Sequence, residues 1–223
     1  MNVIDISLQL GSDYKMHTPE GVKNVQLEFE VIKDYPGGMG QYVTAVHMRL
    51  HNGTHVDAPK HFVEGGTPIG QVPLDTFIGD TVLFDFTHVG ENQAITAAEF
   101  EKASKGKDIA GKRILLRTNW NRNYGADDYK DRSPFFGTDA VPWVLERRPV
   151  LVGYDFAHGK DGGDVPFEAY YLRSFLENGI CTMGYLRNLD RIDADKPILL
   201  SALPLAFTDV ESSPVRAVVL QDW

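Results

Sequence analysis

Short apolar runs separated by Gly- and Pro-bearing turns divide the chain, and their periods predict strands first and alternating helices and strands later. Val3 to Leu8 predicts a short strand, and Tyr14 to Asn24, carrying Pro19 and Gly21, a loop. From Leu27 to Lys33 apolar and charged residues alternate, the period of a half-buried strand that Pro36-Gly37-Gly38 ends. The next run, Tyr42 to Leu50, sets Val46, Met48 and Leu50 on one face and His47, Arg49 and His51 on the other. His51 is therefore expected where a strand ends. Gly65-Gly66-Thr67-Pro68 reads as a turn, Thr81 to Phe86 as a compact apolar strand and Ile114 to Arg117 as a buried one.

Helix signals begin at Thr96-Ala97-Ala98-Glu99, a capping-box pattern that satisfies the first free amides of a helix, with Lys105-Gly106 as the stop. Asp139 to Glu146 predicts a second helix, followed by a strand from Val150 to Phe156. Phe167 to Asn178 predicts a third helix, closed by Gly179. Ile180 to Met183, Ile198 to Leu203 and Val215 to Leu220 complete the strands. The stretch Asn119 to Phe136, rich in Asn, Asp, Tyr and Gly, is a long loop and so a candidate lid. No internal repeat, low-complexity tract or linker divides the sequence. The pattern predicts one α/β domain over residues 1–223.

Composition narrows the function. A hydrophobic share of 43% and a charged share of 24% are those of a globular protein with a substantial core. Acidic residues outnumber basic ones, 31 to 22, for a net charge of -9, so the chain lacks the electrostatic footprint of a nucleic-acid or anionic-membrane binder. No run of about 18 apolar residues predicts a membrane span. The N-terminus, with Asn2, Asp5 and Gln9 among aliphatics, does not read as a signal peptide. Cys181 is alone, which excludes an internal disulfide and fits a reducing, cytoplasmic setting. With no His near it in sequence, it reads as a small buried apolar residue rather than a nucleophile.

Chemistry concentrates in His51-Asn52-Gly53-Thr54-His55-Val56-Asp57-Ala58-Pro59-Lys60-His61-Phe62, which holds three of the seven histidines. Neutral imidazoles and a carboxylate suit zinc, manganese or iron, and catalytic sites typically use three protein ligands with an open position. His51, His55 and Asp57 are read as that set, with His61 as an acid/base group beside it. The His51/His55 spacing would share a helix face, as in HExxH proteases, but no Glu follows His51, and Gly53 and Pro59 disfavour a helix. A strand feeding a tight loop is expected instead. For one histidine, a solvated polar loop would be the better reading; the density of ligands argues against it here.

The same segment resembles the HxGTHxDxPxHF signature of the cyclase / kynurenine formamidase family of metal-dependent hydrolases, matching at His51, Gly53, Thr54, His55, Asp57, Pro59, His61 and Phe62. Further echoes are Ile4-Asp5-Ile6-Ser7, Leu116-Arg117-Thr118-Asn119-Trp120, Val152-Gly153-Tyr154-Asp155 and Ser213-Pro214-Val215-Arg216-Ala217. The resemblance implies a β/β/α swivelling-domain architecture with a mixed sheet. It also implies a divalent metal, Mn2+ or Zn2+, whose bound hydroxide attacks a small amide, lactam or N-formyl compound while His61 acts as general acid/base. Members are usually dimers or tetramers whose pockets a neighbouring chain completes, so a homodimer or homotetramer is expected. By the same resemblance Tyr14, His17 and Thr18 help wall the pocket.

One departure stands out. Two-metal kynurenine formamidases add a His and a Glu, and laying their pattern on Gly184-Tyr185-Leu186-Arg187-Asn188-Leu189 puts Gly184 where the Glu belongs and Leu172 where the His does. Neither ligates a metal, so one metal per chain is expected and the single-metal isatin hydrolases become the closer comparison. His158 stands where the family has a Ser and is a candidate extra ligand or substrate contact, or a structural histidine. Asp155 and Arg216 match family positions and are expected to support the site rather than react; His47 and His88 are weaker candidates of that kind. Phe62, Trp120, Tyr124, Phe135 and Phe136 are available to line a pocket or simply to pack. The competing functions are a lyase or cyclase that uses the same metal, and a metal-binding protein without turnover.

Overall fold

The compact apolar runs of the sequence become the middle of one sheet. In the computed structural model of the chain, which describes residues 1–11, 25–37, 40–157 and 167–223, the elements are β1 (Asn2–Asp5), β2 (Glu28–Lys33), β3 (Val43–His47), β4 (His55–Asp57), β5 (Ile78–Asp85), β6 (Ala94–Ile95), α1 (Ala97–Ser104), β7 (Arg113–Arg117), β8 (Phe135–Phe136), α2 (Ala140–Arg147), β9 (Leu151–Tyr154), α3 (Phe167–Glu177), β10 (Cys181–Gly184), β11 (Leu199–Ser201), β12 (Ser212–Pro214) and β13 (Val218–Gln221). Among the described residues nine strands join in the order β1-β13-β11-β5-β7-β9-β10-β4-β12. The central four, β5, β7, β9 and β10, are parallel, and each is joined to the next by a crossover whose described residues contain one α-helix. The outer strands on both sides pair antiparallel.

Two apolar cores follow from the strand period of two. Val82, Phe84, Ile114, Leu116, Val152 and Tyr154 meet Phe100 of α1, Trp143 and Val144 of α2 and Phe175 of α3 on one face. Leu83, Leu115 and Leu151 point the other way, into a second core with Ile4, Ile6, Val56, Met183, Leu200 and Val219. This second core is enclosed because the sheet curls. Past β1 the chain crosses to β10: Ser7 bridges Leu186, the Ile6 amide donates to Ala217 O at 3.0 Å, and the Arg187 amide donates to Ile6 O at 2.9 Å. The result is a single-domain α/β fold with a large mixed, curled sheet.

Local signals hold at α1. Thr96 and Glu99 form the reciprocal capping box, and Lys105 ends the helix in the left-handed region at φ 49°. Elsewhere the structure revises the expectations. Strands β2 and β3 form a separate ribbon, and β2 is exposed along its whole length rather than half-buried, with Phe29, Val31 and Ile32 about half exposed. Strand β3 ends at His47, so His51 falls in a turn instead of at a strand's end. The stretch Val215 to Leu220 is shared between the approach to β13 and the strand itself, while β12 lies just before it and was not expected. The Asn119–Phe136 loop is pinned rather than lid-like: Trp120 and Tyr129 are buried, and Trp120 Nε1 donates to Tyr129 O at 2.9 Å. No helix of the described residues is long and apolar enough to cross a membrane.

Candidate metal centre

The His-rich stretch is shaped by its glycine, its threonine and its proline. Gly53 adopts φ 64°, and a Cβ there would lie 2.6 Å from Leu10 Cδ2, so a side chain would strain the backbone and force Leu10 to shift. Thr54 then ties two distant segments together: its Oγ1 accepts from the Leu8 amide at 2.8 Å and donates to Tyr185 O at 2.7 Å. In β4 the period of two buries Val56 in the inner core and leaves His55 and Asp57 on the other face. Pro59 opens a single 3-10 turn, Pro59–His61, which carries His61 back toward His51. Their rings lie 4.3 Å apart, centroid to centroid.

Asp57 is the centre of the cluster. Its Oδ2 accepts from Thr182 Oγ1 at 3.3 Å. Its Oδ1 is buried and receives no hydrogen bond of acceptable geometry, although His51 Nδ1 stands at 3.0 Å and His55 Nε2 at 3.6 Å. The His55 ring is aimed by Nδ1, which is 2.8 Å from Gly53 O; that contact puts a proton on Nδ1 and turns Nε2 toward Asp57. Ligand atoms of His51, Asp57 and His61 all fall within 4.8 Å of one another. A buried carboxylate oxygen without a hydrogen bond is costly unless a cation satisfies it. Imidazole nitrogens and carboxylate oxygen are the donor set of a divalent transition metal, so the residues fit such an ion.

Without an ion, protons on the imidazoles take its place beside Asp57. Burial alone would raise the Asp57 carboxyl, but the charges of His55, His51 and His61 with the His51 contact hold it far below the usual carboxylate range. For His51, burial disfavours the cation, yet Asp57 and Glu211 outweigh it and push the group up to about 9. Glu211, whose Oε1 lies 3.0 Å from His51 Nε2, is lowered mainly by that contact. Nothing in local spacing pointed to Glu211, which is 160 residues from His51 in sequence. Thr182 and Tyr185 were likewise missed. The Tyr185 ring lies 5.8 Å from that of His55 and 6.2 Å from Tyr124, on a backbone at φ 58° that a bulky side chain rarely adopts.

Of the other expected residues, Phe62 packs edge-on against His61 at 4.5 Å and Tyr124 joins the Tyr185 wall, while Trp120 and Phe136 belong to the helix-side core and Phe135 packs against it. Asp155 accepts from Thr118 N, Thr118 Oγ1 and Asn119 N at 2.8, 2.7 and 2.9 Å, and burial pushes it up to about 6. It holds a loop. Arg216 pairs with Asp5 at 2.7 Å, fastening the C-terminal strands to β1. His47 pairs with Glu30 on the exposed ribbon and His88 with Glu99. Leu172 is buried in the helix-side core, and Gly184 faces His55 across the β10–β4 pair, where a Cβ would find His55 Cε1 at 3.8 Å and Tyr154 Oη at 3.7 Å. Position 184 thus lies at the site and brings no carboxylate to it. Tyr14, His17, Thr18 and His158 lie outside the described residues.

Comparison with known proteins bears on the family and the fold. The sequence model of the "Putative cyclase" family matches residues 4–158. Kynurenine formamidase of Bacillus thuringiensis subsp. konkukian is 30% identical over 217 residues, covering 97% of this chain and 96% of that protein. Isatin hydrolase A of Labrenzia aggregata, solved with benzyl benzoate, superposes with a TM-score of 0.85 at 24% identity, over 98% of this chain and 93% of that one. An isatin hydrolase bound to the product analogue thioisatinate superposes with a TM-score of 0.79 at 25% identity, over 99% and 92% of the two chains.

Proposed function

The chain belongs to the cyclase family, and we infer that it is a metal-dependent hydrolase that cleaves the C–N bond of a small amide, lactam or N-formyl compound. The observation that carries this reading is Asp57 Oδ1, buried, unsatisfied by hydrogen bonds and flanked by His51 Nδ1 and His55 Nε2. We assign His51, His55 and Asp57 as ligands of one Mn2+ or Zn2+ per chain. A divalent ion in such a site activates water at neutral pH and polarises a carbonyl. Thr182 anchors the other carboxylate oxygen, Gly53 O orients His55, and His61 stands beside His51 to take a proton and return it to the leaving nitrogen. The Tyr185–Tyr124 wall offers a flat apolar surface next to His55 for the rest of the substrate.

The closeness of His61 to His51 and Asp57 favours a second arrangement, in which His61 is a ligand in place of His55. Elemental analysis of protein purified without added metal separates the two. One equivalent of Mn or Zn is expected, lost in His55→Ala and kept in His61→Ala, with turnover of an N-formyl arylamine and a cyclic amide lost in both. Metal lost in His61→Ala but kept in His55→Ala exchanges their roles, and a metal-free, inactive wild-type chain overturns the hydrolase reading. Two equivalents would restore a second site despite Leu172 and Gly184.

We also propose a homodimer or homotetramer. Support comes from the β2–β3 ribbon, whose Phe29, Val31, Tyr35, Tyr42 and Val46 are 47 to 64% exposed. A two-stranded ribbon is marginal by itself, and an exposed apolar surface of this kind suits a protein interface.

A further inference from the structure

We propose that Glu211 is a positioning residue for the metal centre, fixing the tautomer and the aim of His51; this rests on the reading of the cluster as a metal site. The His51 ring is held between two carboxylates on opposite nitrogens: Nε2 is 3.0 Å from Glu211 Oε1, and Nδ1 is 3.0 Å from Asp57 Oδ1. An ionised carboxylate only accepts, so the Glu211 contact places a proton on Nε2. Nδ1 is thereby turned to the buried oxygen of Asp57, where a bound divalent ion would take the place of its proton. His55 is aimed the same way by a backbone carbonyl, through Nδ1 instead, so each imidazole has one nitrogen tied back and the other turned to Asp57 Oδ1. Outer partners of this kind hold ring orientation and raise ligand basicity.

Glu211 is not a chance surface partner, because its backbone is laced to the motif it serves. The Ala58 amide donates to Glu211 O at 2.9 Å, and Ser212 Oγ donates to Val56 O at 2.8 Å. Lys60 Nζ donates to Asp209 O at 2.7 Å, and β12 pairs with β4 along Ser212–Pro214. Residues before and after Glu211 are thus registered on residues on both sides of Asp57. A partly exposed His–Glu pair contributes modestly to stability by itself. Here its consequence is orientation of the opposite nitrogen.

The test uses Glu211→Ala and Glu211→Gln, the latter keeping an amide oxygen where the carboxylate accepts. The first readout needs no metal: in protein carrying nitrogen-15 histidine, the hydrogen-bonded Nε2–H resonance of His51 is expected in the wild type and in E211Q, and absent or exchange-broadened in E211A. The second is the dissociation constant for Zn2+, by competition with a chromophoric chelator. E211A is expected to weaken binding by about 10- to 100-fold, and E211Q by much less. An unchanged resonance in E211A, or a Zn2+ affinity unchanged there while the wild type binds, overturns the positioning role and leaves the metal site standing. Equal losses in E211Q and E211A would make Glu211 a direct ligand and also overturn it. If the wild type binds no Zn2+, the metal reading fails and takes the proposal with it.

Discussion

Gly53 shows how strictly the motif depends on single atoms. Ala there would carry a Cβ at 2.6 Å from Leu10 Cδ2 on a backbone at φ 64°. Strain of that kind costs roughly 1–3 kcal/mol, and it falls between the ligands His51 and His55. Gly53→Ala is expected to lower unfolding stability by about that amount and to reduce metal content; a variant with wild-type urea midpoint and full metal loading would show that the turn tolerates a side chain. Asp155 makes a different residue-scale prediction. Burial raises it to about 6 from an ordinary value of 3.8, so the folded chain keeps a proton between those pH values that the unfolded chain releases. Its contribution is full below about pH 4 and is lost as pH rises through about 6, a change on the order of 3 kcal/mol. The unfolding free energy of wild type minus Asp155→Asn, from urea titrations at pH 4 and pH 7, is expected to fall with pH. A difference that rises instead would mean the three hydrogen bonds from Thr118 and Asn119 keep the carboxyl ionised. The candidate cluster was legible because His51, His55, Asp57 and His61 are crowded into a few residues. Glu211 was not, since only the β12–β4 pairing brings it to them.

At the scale of elements, interior strands were legible and edges were not. Ile114 to Leu116 and Leu151 to Tyr154 are buried on both faces, so an unbroken apolar run suffices to find them. Strands β6 and β8 are two residues each and β12 is Ser-Ser-Pro; their pairing is set by what they adjoin rather than by their own composition. The alternation in β2 was legible, but alternation does not say what covers the apolar face. Helix α1 was found because Thr96 and Glu99 state its start chemically. Thr96→Ala removes the side-chain acceptor of the Glu99 amide and is expected to cost about 1 kcal/mol, with metal content and turnover unchanged, since α1 packs on β5, which β7, β9 and β10 separate from β4 and its His55 and Asp57. Loss of activity at unchanged stability would contradict the separation of α1 from the metal site.

For the whole molecule, the sequence pattern gives alternating strands and helices but not the order in which strands pair. The curl depends on contacts between the two ends of the chain and its middle: Ser7 with Leu186, Ile6 with Ala217, Leu8 with Thr54. The β2–β3 ribbon joins neither apolar core, and it leads directly into the turn that carries His51. Phe29 and Val46 are paired across it and are 47% and 54% exposed. If a second copy of the chain covers this surface, two lysines there introduce adjacent like charges into an apolar contact, a strong penalty against association. In an isolated chain the same lysines stay in water and disturb no core. The double variant Phe29→Lys/Val46→Lys is therefore expected to fold with wild-type far-ultraviolet circular dichroism and to elute as a monomer by size exclusion with light scattering, where the wild type gives the mass of a dimer or tetramer. A monomeric wild type, or a folded double variant that keeps the wild-type mass, would remove the ribbon from the interface.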